Sequence, residues 1–95
     1  MNETLLKQVD IGLLITFAVI YRERSVSRAA QCLGLGQPAV SMALSRLRGI
    51  FDDNLFIRSR TLRPTQKAIL INAKLLPILS SLEDILDSFS VCDRS

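Results

Sequence analysis

From Val9 to about Glu23 apolar residues occur nearly all round a helical projection: Ile11, Leu13, Leu14, Ile15, Phe17, Ala18, Ile20 and Tyr21. The length of the run and its lack of a breaker predict a helix, and its all-round apolarity predicts a central one covered by others. Residues 1–8 read as a frayed arm, and Arg22-Glu23-Arg24 as a polar break. Ser25 suits the N-cap of a second helix, Val26 to Leu33. There Val26, Ala29, Ala30 and Leu33 follow the spacing of one helical face. The alanine pair lets another helix come close, and Gly34 fits the left-handed position beyond the helix end. A third helix opens at Gln37-Pro38, with proline in the first turn, where its missing N–H costs nothing. Val40, Leu44, Leu47 and Phe51 form its buried stripe; Gln37, Pro38, Ser41, Met42, Ser45 and Arg46 fall on the other side.

Asp52-Asp53-Asn54 ends that helix. Leu55–Arg58 and Thr61–Arg63 read as two short strands around Ser59-Arg60, and Pro64 is expected to stop ladder pairing. Thr65 can cap a last helix from Gln66 to about Ser90, about 37 Å long. Its Ala68, Ile71, Leu75, Ile78, Leu82, Ile85 and Phe89 alternate by three and four, the seam of a two-helix coiled coil. Leu76, Leu79 and Leu86 broaden that face, and Pro77 should kink the helix or leave a carbonyl unpaired. Two short helices joined by a tight turn, resting on a preceding helix and followed by a basic hairpin, make a winged helix-turn-helix. The expected fold is mainly α. Residues 1–64 form three helices and a short β-hairpin wing, and 65–95 a long C-terminal dimerisation helix with its tail.

The chain is 95 residues long, enough for one domain, and too apolar (48% hydrophobic) to be disordered. It contains no histidine, which removes the commonest general base and zinc ligand, and with them a Ser-His-Asp triad or a Cys₂His₂ finger. Asp52 and Asp53 flank a helix end, and Glu83, Asp84 and Asp87 lie on the polar side of the last helix, so neither group suggests a metal site or an acid/base pair. No enzyme, metal or cofactor is expected. Cys32 and Cys92 are too few and too far apart for a disulfide framework. Both are expected as reduced thiols in the cytoplasm, Cys32 packed as a small hydrophobe and Cys92 on a polar tail. The apolar run Ile11–Tyr21 is about half of what a membrane span needs, so a soluble protein is expected.

The net charge is +3. Residues 1–64 carry nine Lys and Arg against five Asp and Glu, and residues 65–95 three against four, so the positive balance sits in the helix-turn-helix and wing. That placement favours a polyanionic partner, namely double-stranded DNA. Gln37 can pair with adenine through N6 and N7, Pro38 and Ala39 can touch a thymine methyl, Ser41 and Ser45 can bond base edges or phosphates, and Met42 on the same face is a further candidate for base contact. Ser25, Arg28, Arg48, Arg58, Arg60 and Arg63 are candidates for backbone phosphate. Ile71, Leu75, Ile78, Leu82, Ile85 and Phe89 are candidates for a homodimer seam.

The run from Ser25 to Ser41 (SVSRAAQCLGLGQPAVS), then Leu47, then Leu55-Phe56-Ile57-Arg58, then Pro64-Thr65, resembles the DNA-binding domain of LysR-type bacterial transcriptional regulators. The match covers about residues 9–90. Leu47-Arg48 and Phe51-Asp52-Asp53-x-Leu55-Phe56 look closest to the branch of the nodulation and leucine-operon regulators. The resemblance implies base reading at Gln37, Pro38 and Ser41, phosphate contact near Arg58 and Arg60, and antiparallel pairing of the last helix with a second subunit. It also implies full-length members roughly three times as long, with a ligand-sensing domain and tetrameric assembly. Residues 1–95 hold no such domain, so an excised fragment or a short member is expected, working in the cytoplasm at the nucleoid. Four positions depart from the family pattern. Met42 and Gly36 stand where Arg and Ser are common, Arg48 stands where Glu is common, and the wing is one residue shorter and lacks glycine.

Each reading has a plainer rival. The polar face of the third helix could be solvated, the arginine hairpin a solubilising edge, and the heptad a packing surface for the chain's own core. As a whole, the chain could be a winged-helix interaction module without specific DNA binding.

Overall fold

The computed structural model describes residues 1–7 and 9–89. Its elements are α1 (Glu3–Lys7), α2 (Ile11–Glu23), α3 (Val26–Leu33), α4 (Gln37–Phe51), β1 (Phe56–Arg58), β2 (Leu62–Pro64) and α5 (Gln66–Phe89). The arm expected before α2 is instead a short helix. Asn2 Oδ1 accepts the Leu5 amide at 3.0 Å, and Glu3 and Lys7 complement the helix dipole at its two ends. α1 buries no residue, so these local terms are what hold it.

α2 starts where Asp10 accepts the Gly12 amide at 2.8 Å. It packs on α3, α4 and α5 through Leu13, Thr16, Phe17 and Ile20. The helix is central, as expected: Leu14, Ala18, Val19 and Tyr21 also pack against the core, and a narrow strip with Ile11 and Ile15 remains exposed. α2 ends at Arg24, a non-glycine residue in the left-handed region (φ 57°). Its amide donates to Ile20 O, its Nε to Tyr21 O, and its guanidinium lies 4.8 Å from the Tyr21 ring centroid. These contacts offset the strain of that backbone conformation.

α3 and α4 have the bounds their caps predict. Ser25 Oγ accepts the Arg28 amide, and Gly34 takes the left-handed C-cap (φ 67°) while Leu35 N reaches back to Ala30 O at 2.9 Å. Ala29 and Ala30 are buried where α2 and α4 approach. Val40, Leu44 and Leu47 are buried and Phe51 half-buried, as the stripe requires. Cys32 is exposed, not packed. At 100° per residue it lies about 110° from the middle of the α3 stripe. Cys92 lies outside the described residues.

The hairpin differs from expectation at both ends. Leu55 is not a strand residue: it has φ 65°, is fully buried, and turns the chain into the core. Thr61 belongs to the loop. Pro64 does not end the pairing. It is the partner of Phe56, and Thr65 N donates to Leu55 O at 2.8 Å one position further on. Antiparallel ladders alternate hydrogen-bonded and non-bonded pairs, so Phe56–Pro64 is a non-bonded pair in which an N–H would point away from β1. Proline therefore costs the ladder nothing here. Phe56 fills the centre, its ring centroid 5.5 Å from Phe17 and 6.3 Å from Tyr21.

α5 begins as predicted, with Thr65 Oγ1 accepting the Ala68 amide at 3.1 Å, and it continues as helix through Pro77. Ala68 and Leu75 are buried in the chain's own core and Ile71 packs against it. Ile78, Ile85 and Phe89 are exposed, Phe89 by 80%, and Leu82 is half-buried. Between α2 and α5 runs an apolar groove of about 650 Å³, lined by Ile15, Val19, Leu76, Leu79 and Leu86 among others. The buried Asn72 Oδ1 at its floor has no hydrogen-bond donor among the described residues. No described helix is long and apolar enough to cross a membrane.

Two glycines should respond oppositely to the same change. A Cβ at Gly34 meets no atom, but φ is positive there, so Gly34→Ala should destabilise by about 1 kcal/mol. Gly49 is exposed inside α4 with open space around it, so Gly49→Ala should stabilise by about 0.5–1 kcal/mol. Urea titrations of both variants measure this, and shifts of the same sign would contradict the assigned backbone conformations.

Candidate nucleic-acid interface

The outer face of α4 is a strip two residues wide. Gln37, Ser41 and Ser45 stand one above another at four-residue intervals, with Pro38, Met42 and Arg46 beside them. All are exposed, Met42 by 69%, because Val40, Leu44 and Leu47 turn the opposite side into the core. α4 has no side-chain cap, since its N-cap is Gly36. Pro38 has no N–H to satisfy and Ala39 N donates to Gly36 O at 3.1 Å, so within the first turn only the Gln37 amide is left open.

Beside that end lies a cleft of about 380 Å³, walled by the start of α3, by Gln37 and by the wing. The structure brings Ser25, Gln37, Arg58 and Arg60 together there. The lining also includes Arg24, Ser27, Ser59 and Thr61, which the sequence did not single out, and it holds three arginines and no carboxylate. Two helix N-termini, those of α3 and α4, contribute to the same walls, and their dipoles add to the positive field. The chemistry of such a cleft suits an anion, and the α4 strip beside it exposes donors, acceptors and apolar atoms. Ser27 was legible as a second hydroxyl in the first turn of α3. Ser59 and Thr61 were not, because only the fold of the hairpin tip carries them to residues far away in sequence.

The remaining candidates are placed differently. Arg28 is exposed on α3, its Nε 3.8 Å from Glu23 Oε1. Arg63 pairs with Ile57 on the hairpin and so faces away from Arg58, whose partner Leu62 lines the cleft. Ser25 already uses its hydroxyl to cap α3. Arg48 is half-buried, and its Nε and Nη2 donate to Asn54 O (2.8 Å) and Phe56 O (3.2 Å).

The wing is mounted through Asp53. Its Oδ2 accepts the Thr65 hydroxyl at 2.6 Å and the Leu55 amide at 2.8 Å, while Lys67 Nζ donates to Phe51 O at 2.8 Å nearby. The Thr65 hydroxyl first, then the Leu55 amide, then the Lys67 charge hold the Asp53 carboxyl below its ordinary range. On the opposite edge Leu62 N donates to Arg24 O at 3.1 Å.

Comparison with known proteins places this geometry. Residues 11–68 match the family described as bacterial regulatory helix-turn-helix protein, lysR family. Over 64 residues the chain is 45% identical to the HTH-type transcriptional regulator LeuO of Escherichia coli (strain K12), covering 66% of this chain and 20% of that protein. A probable transcriptional regulator from Pseudomonas aeruginosa superposes with a TM-score of 0.82 at 39% identity, covering 87% of this chain and 28% of that one. BenM_DBD in complex with catB site 1 DNA superposes with a TM-score of 0.78 at 22% identity, a likeness of fold, over 83% of this chain and 90% of that one. The chain thus spans about a fifth of LeuO.

Because its folded-state pKa is depressed, ionised Asp53 contributes stability that is complete above the ordinary carboxylate value of about 4 and is lost as pH falls below it. Asp53→Asn keeps an acceptor for both donors but cannot titrate. Its melting temperature should therefore fall less steeply than that of the wild type as pH drops from about 5 to about 2. Parallel acid limbs would show that Asp53 ionises alike in the folded and unfolded chain.

Proposed function

Since the chain belongs to the lysR family of bacterial regulatory helix-turn-helix proteins, a family of transcriptional regulators, we propose that residues 1–64 bind double-stranded DNA sequence-specifically. Residues 65–95 join two copies on a pseudo-palindromic site in the bacterial cytoplasm. The observation that carries this reading is the anion-suited cleft of Arg58, Arg60, Ser25 and two helix N-termini, set directly beside the exposed strip of α4. With α4 in the major groove, Gln37, Pro38, Ser41, Met42 and Ser45 meet base edges, and Arg58 and Arg60 grip the adjacent backbone. Arg28 and Arg63 serve as outer phosphate contacts on either side.

The part of α5 beyond Leu75 supports the second half of the reading. Ile78, Ile85 and Phe89 continue the heptad but contribute nothing to the buried core, and Leu82 is only half-buried. A second α5 laid antiparallel on this face would cover them. It would separate the two α4 helices by a set distance, about one turn of DNA (roughly 34 Å) or a multiple of it.

Gln37→Ala should cost on the order of 1–3 kcal/mol per half-site on a selected operator and much less on random duplex. Equal losses on both would take base reading away from Gln37. Arg58→Ala should weaken every sequence and lower the slope of log K against log salt by about 1. An unchanged slope would remove Arg58 from the phosphate contacts. If the unmodified chain bound no duplex even at low salt, it would have to be read as a protein-interaction module.

Ile78→Asp should turn a dimer into a monomer in sedimentation velocity while leaving the far-ultraviolet circular dichroism of the folded chain unchanged, since the side chain is exposed on the single chain. A dimer that survived the change would place the interface elsewhere.

A further inference from the structure

Arg48 stands in the last turns of α4, on the same helix as the base-facing strip, yet its guanidinium points at the wing. Nε donates to Asn54 O at 2.8 Å and Nη2 to Phe56 O at 3.2 Å. Phe56 belongs to a non-bonded pair of the ladder, so its carbonyl faces outward and has no partner on β2. The opposite edge is held in the same manner, with the outward Leu62 amide bonded to Arg24 O. A two-stranded hairpin has little stability of its own. Its placement relative to α4 is therefore set by bonds such as these and by the burial of Phe56. Arg58 follows Phe56 by two residues on the same strand and the same face. The Arg48 fork thus determines where the cleft arginine stands relative to Gln37.

We propose that Arg48 is a positioning residue that couples the wing to the recognition helix, and that it acts on DNA through Arg58 and Arg60 instead of through a phosphate of its own. The proposal rests on the DNA-binding reading for its effect on affinity, but its structural half can be read without DNA. Chemistry distinguishes the two roles. A lysine replaces arginine well as a point charge facing phosphate, but an ammonium cannot bridge two carbonyls with a planar fork.

The experiment is a double-mutant cycle on the full chain, with Arg48→Lys made in the wild type and in the Arg58→Ala/Arg60→Ala background. Affinity for a selected operator and amide hydrogen exchange of the free protein are the readouts. In the wild type, Arg48→Lys should weaken binding on the order of tenfold, about the worth of one charge-assisted hydrogen bond. In the wing-depleted background it should have no further effect. Without DNA it should speed exchange at Ile57 and Arg63 while leaving the amides of α3 protected. Equal losses in both backgrounds would show that Arg48 touches DNA itself, and full retention of affinity by lysine would show a point-charge contact. Either result overturns the proposal, as does unchanged exchange in the hairpin. If the wild type bound no DNA, the functional reading would fail, and the exchange data would still decide whether Arg48 holds the wing.

Discussion

Asp53 Oδ2 receives the Leu55 amide and the Thr65 hydroxyl, and the course of the chain after α4 depends on that one carboxylate oxygen. The Leu55 bond stabilises a left-handed, fully buried leucine, a conformation that a branched apolar residue does not take unaided. The Thr65 bond orients a hydroxyl that itself caps α5 through the Ala68 amide. The end of α4, the base of the hairpin and the start of α5 are thereby joined at one point.

On this mount the hairpin needs little internal strength. Three residue pairs make its ladder, and one of them contains proline. Its rigidity comes from outside: Phe56 wedged among Phe17 and Tyr21, Leu62 N on Arg24 O, and the Arg48 fork on Asn54 and Phe56. Arg24 has two duties there. Its backbone closes α2 and holds β2, while its side chain crosses Tyr21 and lines the cleft. Of the three arginines on the cleft, Arg24 is therefore a structural part of the domain, while Arg58 and Arg60 remain exposed.

α5 divides its heptad between two purposes. Ala68, Ile71 and Leu75 close the domain core, and from Ile78 onward the same spacing carries apolar side chains into solvent. The apolar groove beside it, floored by Asn72, continues this face onto α2 and explains why Ile15 remains open. A helix read as apolar on all sides is thus covered in part by its own domain and in part left available.

The bounds of α3 and α4, the caps at Ser25, Gly34 and Thr65, the buried stripe of Val40, Leu44 and Leu47, and the outward strip from Gln37 to Ser45 were all legible in the residues. These features depend on helical periodicity and on hydrogen bonds between residues three or four apart, which the sequence displays directly. The basic balance of residues 1–64 was legible as well, as a count of charges that favours a polyanionic partner. Tertiary structure decided the rest. Leu55 resembles a strand residue until Asp53 and the core turn it left-handed. Pro64 resembles a ladder stop until the register puts it in a pair that requires no N–H. Arg48, Arg58 and Arg63 are alike as letters. Only the placement of the hairpin against α4 directs one to backbone carbonyls, one into the cleft and one to the far face, because those directions depend on contacts that no local spacing encodes.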